Sequence, residues 1–97
     1  MKGLVNDGNI LKYELKKFIG PAIRKIRKQK GFSQEKLSLE ARKNNKYISG
    51  IETGDVENIT IYTLRDVSYA LQIKPSKLVS VAQKLERDSL YKDKVKK

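Results

Sequence analysis

Cysteine and histidine are missing from this 97-residue chain, and acidic residues are half as many as basic ones. Without cysteine there is no disulfide and no thiolate nucleophile; without histidine there is no imidazole base and no usual zinc ligand set. Most catalytic mechanisms thereby lose their parts. The remaining carboxylates are scattered among basic neighbours with no glycine-rich phosphate cradle beside them, so neither enzyme activity nor a metal or cofactor is expected. No apolar run approaches the ~20 residues of a membrane span, and the first residues lack the apolar stretch of a secretory signal. A cytoplasmic protein is the expectation.

What is present is positive charge. Twenty-two Lys and Arg against eleven Asp and Glu leave a net charge of +11, which draws a chain toward polyanions before any specific contact forms. The charge is uneven: residues 1–30 carry +7, residues 31–60 carry −1 and residues 61–97 carry +5. If the middle third reads a sequence, the flanks must supply much of the non-specific attraction, as phosphate contacts do when base contacts specify.

Apolar spacing gives an all-α chain of five helices with no strand pattern. Residues 1–8 hold Gly3, Asn6, Asp7 and Gly8 and favour turns; Leu11, Leu15, Phe18 and Ile19 then allow a short leading helix. Gly20-Pro21 is expected to interrupt or restart it, since proline removes an amide donor and biases its predecessor away from helix. A helix from Pro21 buries Ile23 and Ile26 and ends at Gly31 in a left-handed cap. Ser33 caps a second, short helix with Glu35 in its first turn and Leu37 and Ala41 inside. Asn44 caps a third, containing Tyr47, Ile48, Ile51 and Glu52 and stopping at Gly54. A fourth carries Leu64, Val67, Ser68 and Leu71 to a boundary near Ile73. Pro75 opens a fifth with Leu78, Val81, Ala82 and Leu85 on one stripe. The division expected is an N-terminal extension over 1–17, a domain over 18–90 and a basic tail over 91–97.

Two short helices joined by about four residues, the second amphipathic with small polar groups outside, is a helix-turn-helix arrangement whose free face suits a major groove roughly 12 Å wide. The pattern extends further, through Ile23-Arg24-Lys25-Ile26-Arg27, Lys30-Gly31-Phe32-Ser33-Gln34-Glu35-Lys36-Leu37 and Tyr47-Ile48-Ser49-Gly50-Ile51-Glu52-Thr53-Gly54 to Leu64, Val67, Ala70-Leu71 and Leu78. This string resembles the phage repressor family (Cro and C1 type, or xenobiotic response element) of helix-turn-helix regulators across about residues 18–80. Within it, the Tyr-Ile-Ser-Gly-Ile-Glu stretch and the size are similar to the controller proteins of restriction-modification systems. The resemblance implies a lambda-repressor-like fold and a dimeric, sequence-specific transcription regulator on a pseudo-palindromic operator. It also allows an antitoxin that holds a protein partner.

Carried over residue by residue, the resemblance implies base contacts from Asn45, Lys46, Tyr47, Ser49 and Gly50, with Tyr47 equally able to pack against the adjoining loop. Asn pairs bidentately with adenine and Lys donates to guanine. Phosphate contacts are implied for Ser33 and Gln34, at a helix start that favours anions, and for Lys43, Asn44, Thr53 and Tyr62. Arg27 and Glu52 are implied to form an ion pair, the alternative being two solvated charges. Dimer contacts are implied for Tyr69, Ile73, Leu78, Val81, Ala82 and Leu85, unless that stripe closes the monomer's own core. One departure stands out: Arg42 occupies a turn position usually held by Gly or Asn, where a left-handed residue costs ~1–2 kcal/mol, so a differently shaped turn is expected.

Overall fold

A computed structural model describes residues 15–56 and 58–95, with side chains to Leu90, as five helices: α1 (Lys16–Gln29), α2 (Gln34–Ala41), α3 (Asn45–Thr53), α4 (Ile61–Ala70) and α5 (Pro75–Val95). No strand occurs among the described residues. The leading segment over residues 1–14 lies outside them. The backbone of α5 is helical through Val95, well into the stretch read as a tail.

The first correction concerns α1, which runs straight through Gly20-Pro21 instead of restarting there. Pro21 stands on the exposed side, where water can take up the carbonyl left without its amide. Gly20 is buried, and its lack of a side chain answers two demands. It removes the Cβ that would clash with the proline ring, and it lets α1 approach the end of α3, since a Cβ there would overlap the Ile51 carbonyl oxygen.

The core is one cluster. Ile19, Ala22, Ile23 and Ile26 of α1 meet Leu37 and Ala41 of α2, Ile48 and Ile51 of α3, Val67 of α4, Leu71 and then Leu78 and Ala82 of α5. The most extensive packing is α1 on α5; α3 is held by α1 and α2, and α4 lies against α2 and α5. Ile48 and Ile51 are almost wholly buried, and at ~1.5–3 kcal/mol each they anchor one side of α3 while leaving the other to solvent.

Local signals set the helix ends. Ser33 Oγ accepts from the Lys36 amide at 2.9 Å, Asn44 Oδ1 from the Tyr47 amide at 2.7 Å and Thr60 Oγ1 from the Thr63 amide at 3.2 Å, each cap contributing ~1 kcal/mol. At the other ends, Gly31 and Gly54 adopt positive φ, and so do Arg42 (φ 60°) and Gln72 (φ 64°). The turn after α2 is therefore the ordinary left-handed one, not a different shape. The Arg42 amide bonds to the Leu39 carbonyl and the Lys43 amide to the Ser38 carbonyl, and closing these two otherwise orphaned acceptors offsets the strain of a side chain at that φ.

Candidate nucleic-acid interface

α3 divides into two sides. Ile48, Ile51 and Glu52 point inward; Asn45, Lys46 and Thr53 are exposed, with Ser49 half-buried between them. At helical spacing these four form one polar face about two turns long. Lys46 is the cation of that face and has no ion pair among the described residues. Asn45 keeps its amide near α2, where Oδ1 accepts from Ser38 Oγ at 3.2 Å. Thr53 donates its hydroxyl to the Gly50 carbonyl at 3.3 Å.

Gly50 and Tyr47, the other two α3 residues named from the sequence, each have a contact within the protein. The bare side of Gly50 is covered by the loop after α3: a Cβ there would come within 2.9 Å of Val56 Cγ2, and the Val56 amide bonds to the Gly50 carbonyl at 2.9 Å. Gly50 is small because Val56 sits on it. Tyr47 is half-buried against the core, its hydroxyl 3.5 Å from Thr63 Oγ1, so it joins α3 to the start of α4.

A buried polar network sets how α3 sits. Arg27 Nε donates to Glu52 Oε2 at 2.7 Å and Nη2 to Oε1 at 3.0 Å, while Nη1 donates to the Phe32 carbonyl at 2.7 Å. The two side chains are 9% and 2% exposed. Such a bidentate guanidinium–carboxylate pair fixes direction as well as distance. Gln34, at the start of α2, joins it by donating Nε2 to Glu52 Oε1 at 3.0 Å. One carboxylate thus ties α1, α2 and α3 together and fixes the Gln34 amide, whose second N–H and carbonyl oxygen remain for an outside partner. Sequence reasoning missed the Gln34–Glu52 bond, because nothing in the local pattern links positions 18 residues apart.

The remaining expected phosphate contacts fall in different settings. Ser33 and Asn44 are exposed and accept as caps; Tyr62 is exposed at the first turn of α4, with the Arg65 guanidinium over its ring at 5.6 Å. Lys43 is turned toward α4, its Nζ 3.1 Å from Asp66 Oδ2, and so is already partnered. The Arg65 guanidinium and then the Lys43 ammonium hold the Asp66 carboxyl below the ordinary aspartate value.

The stripe on α5 also needs correcting. Leu78 and Ala82 are fully buried in the monomer's own core, where α5 packs on α1 and α4, and neither is available to a second copy. Tyr69 is 61% exposed, and Ile73, Val81 and Leu85 are half-buried.

Residues 23–78 match the helix-turn-helix family. The chain belongs to that family, in its phage-repressor form. Among relatives of this helix-turn-helix protein, a transcriptional regulator of Sinorhizobium fredii is 28% identical over 67 residues, covering 69% of this chain and 86% of its own. The restriction-modification controller protein C.Esp1396I, solved bound to a 25-base-pair operator, is 31% identical with a TM-score of 0.66, over 72% of this chain and 91% of that one. The clp gene regulator ClgR of Corynebacterium glutamicum, at 22% identity, shares the fold over 84% of this chain and 85% of its own with a TM-score of 0.79. No helix among the described residues is long and apolar enough to cross a membrane.

Proposed function

We propose that this helix-turn-helix protein is a DNA-binding transcriptional regulator without catalytic activity, working in the cytoplasm as a dimer on a pseudo-palindromic operator. The observation that carries the reading is the two-sided α3. Its inner side is locked by Ile48, Ile51 and the Arg27–Glu52 pair, and its outer side offers Asn45, Lys46 and Ser49 to solvent. A rigid helix with a short polar face is what a major groove accommodates. In this reading Lys46 donates to guanine and Asn45 pairs with adenine, while Gln34 and Ser33, at the anion-favouring start of α2, meet a phosphate. The likeness to a controller protein that binds operator DNA supports the same docking.

One reading helix covers only a few base pairs, so a two-fold pair facing half-sites about 34 Å apart is required for useful specificity. Tyr69, Ile73, Val81 and Leu85 are the residues left for that contact. The test is enrichment from a pool of random duplexes. The reading expects one sequence with two symmetric half-sites, and Lys46→Ala or Asn45→Ala should relax preference at defined base pairs while Gln34→Ala weakens binding to all duplexes alike. Uniform loss from all three would reject these roles, and failure to enrich any sequence would reject the function.

A further inference from the structure

The reading face holds little positive charge, and the excess lies elsewhere. α1 contains six cations and no acid over Lys16–Gln29. One of them, Arg27, is consumed by Glu52. Arg24, Lys25 and Lys28 are exposed and carry no ion pair among the described residues, and so does Lys30 just beyond the helix. The other helices mix their signs: Arg65 pairs with Asp66 on α4 and Lys84 with Asp88 on α5. A helix surface meant only for solubility alternates charge or pairs it at one-turn spacing, whereas Arg24 and Lys28 stand one turn apart, ~6 Å along the axis, with the same sign.

This surface leads to the start of α2. Lys28 and Lys30 adjoin the turn of Gly31 and Phe32, the turn is held by Arg27 Nη1 on the Phe32 carbonyl, and Lys36 Nζ lies 4.8 Å from the centre of the Phe32 ring. The cations therefore continue outward, along α1, from the point where Ser33 and Gln34 meet a phosphate in the proposed function. We infer that the exposed face of α1 is a second DNA contact, in which Arg24, Lys25 and Lys28 bind the phosphate backbone of the duplex beyond the half-site that α3 reads. The inference rests on the DNA-binding reading and adds where the affinity comes from. A nearly neutral recognition segment specifies, and α1 supplies the sequence-independent attraction.

The experiment is a salt titration of binding to the enriched duplex and to a scrambled one, for the wild type and for Arg24→Gln/Lys25→Gln/Lys28→Gln. All three side chains are exposed, so the circular dichroism spectrum and melting temperature serve as a folding control. With about 0.9 counterions released per phosphate neutralised, the slope of log affinity against log salt should become shallower by about two to three. Affinity should fall on the order of a hundredfold at 0.1 M salt, equally for both duplexes, and the wild-type and variant curves should converge toward 1 M. The charge-conserving Arg24→Lys/Lys25→Arg/Lys28→Arg should keep the wild-type slope. An unchanged slope in the glutamine variant, or a loss confined to the enriched duplex, would overturn the second contact and leave the reading helix standing. Absence of wild-type binding to either duplex would overturn the DNA reading and this inference with it.

Discussion

Replacing Glu52 by leucine should damage the fold more than its single carboxylate suggests. The substitution strands the Arg27 side chain, 9% exposed in the intact pair, with the Phe32 carbonyl on Nη1 but no acceptor for Nε and Nη2, and it removes the acceptor of the Gln34 amide. Removing one partner from a buried, hydrogen-bonded pair costs ~3–5 kcal/mol, because the surviving charge stays buried without compensation. In a domain of this size 1 kcal/mol moves the melting temperature by about 4–8 °C, so Glu52→Leu should lower it by roughly 12 °C or more. Arg27→Met should do comparable harm by leaving the carboxylate. The double variant exchanges both charges for apolar groups of similar volume and should fall short of the summed single losses by at least ~3 kcal/mol. Urea denaturation followed by circular dichroism, on all four proteins, gives the cycle. Additivity to within ~0.5 kcal/mol, or single losses below ~1 kcal/mol, would place the pair in the weak, solvent-screened class and refute the claim that it fixes α3.

Three further outcomes follow from local geometry. Gly20→Ala should destabilise by ~2 kcal/mol or more in thermal melts, since its methyl must displace α1 from the Ile51 carbonyl, whereas Gly31→Ala, with open space around it, should cost only the ~1 kcal/mol of a left-handed alanine. Arg42→Gly and Gln72→Gly should each stabilise by up to ~1 kcal/mol by relieving positive φ at φ 60° and 64°, readable as a rise in the urea midpoint. Asp66 supplies a pH signature: a carboxylate whose pKa is lowered on folding adds stability above its unfolded value and loses it as the pH falls through the folded one. The gap in melting temperature between wild type and Asp66→Asn should therefore be full near neutrality and close as the pH drops below the ordinary value of 3.8; a gap unchanged at low pH would deny the Arg65 and Lys43 contacts.

The elements whose evidence is local could be read from the sequence. Ser33 and Asn44 announce helix starts through their own side chains, Gly31 and Gly54 announce ends, and the spacing of Leu37, Ala41, Ile48 and Ile51 gives the packing of α2 on α3. Features that depend on distant partners could not. Gly20 looks like a helix breaker until the Ile51 carbonyl is placed beside it, and Gly50 looks like a gap on the outer side of α3 until Val56 is placed against it. Lys43 looks like a free cation until α4 brings Asp66 to it. The apolar stripe of α5 predicts burial correctly but is silent on what covers it, and Leu78 and Ala82 enter the monomer's own core, where α5 packs on α1 and α4. Arg42 shows that two closing backbone bonds can hold a turn in the left-handed region without glycine.

The central claim is that the outer face of α3 lies in a major groove. Methylation interference on the enriched duplex tests it directly, because methylation of guanine N7 alters only the major-groove edge that Lys46 is proposed to read. The account predicts loss of binding from guanines in two clusters one helical turn apart, with the cluster contrast abolished by Lys46→Ala. Binding indifferent to N7 methylation anywhere in the duplex would contradict it.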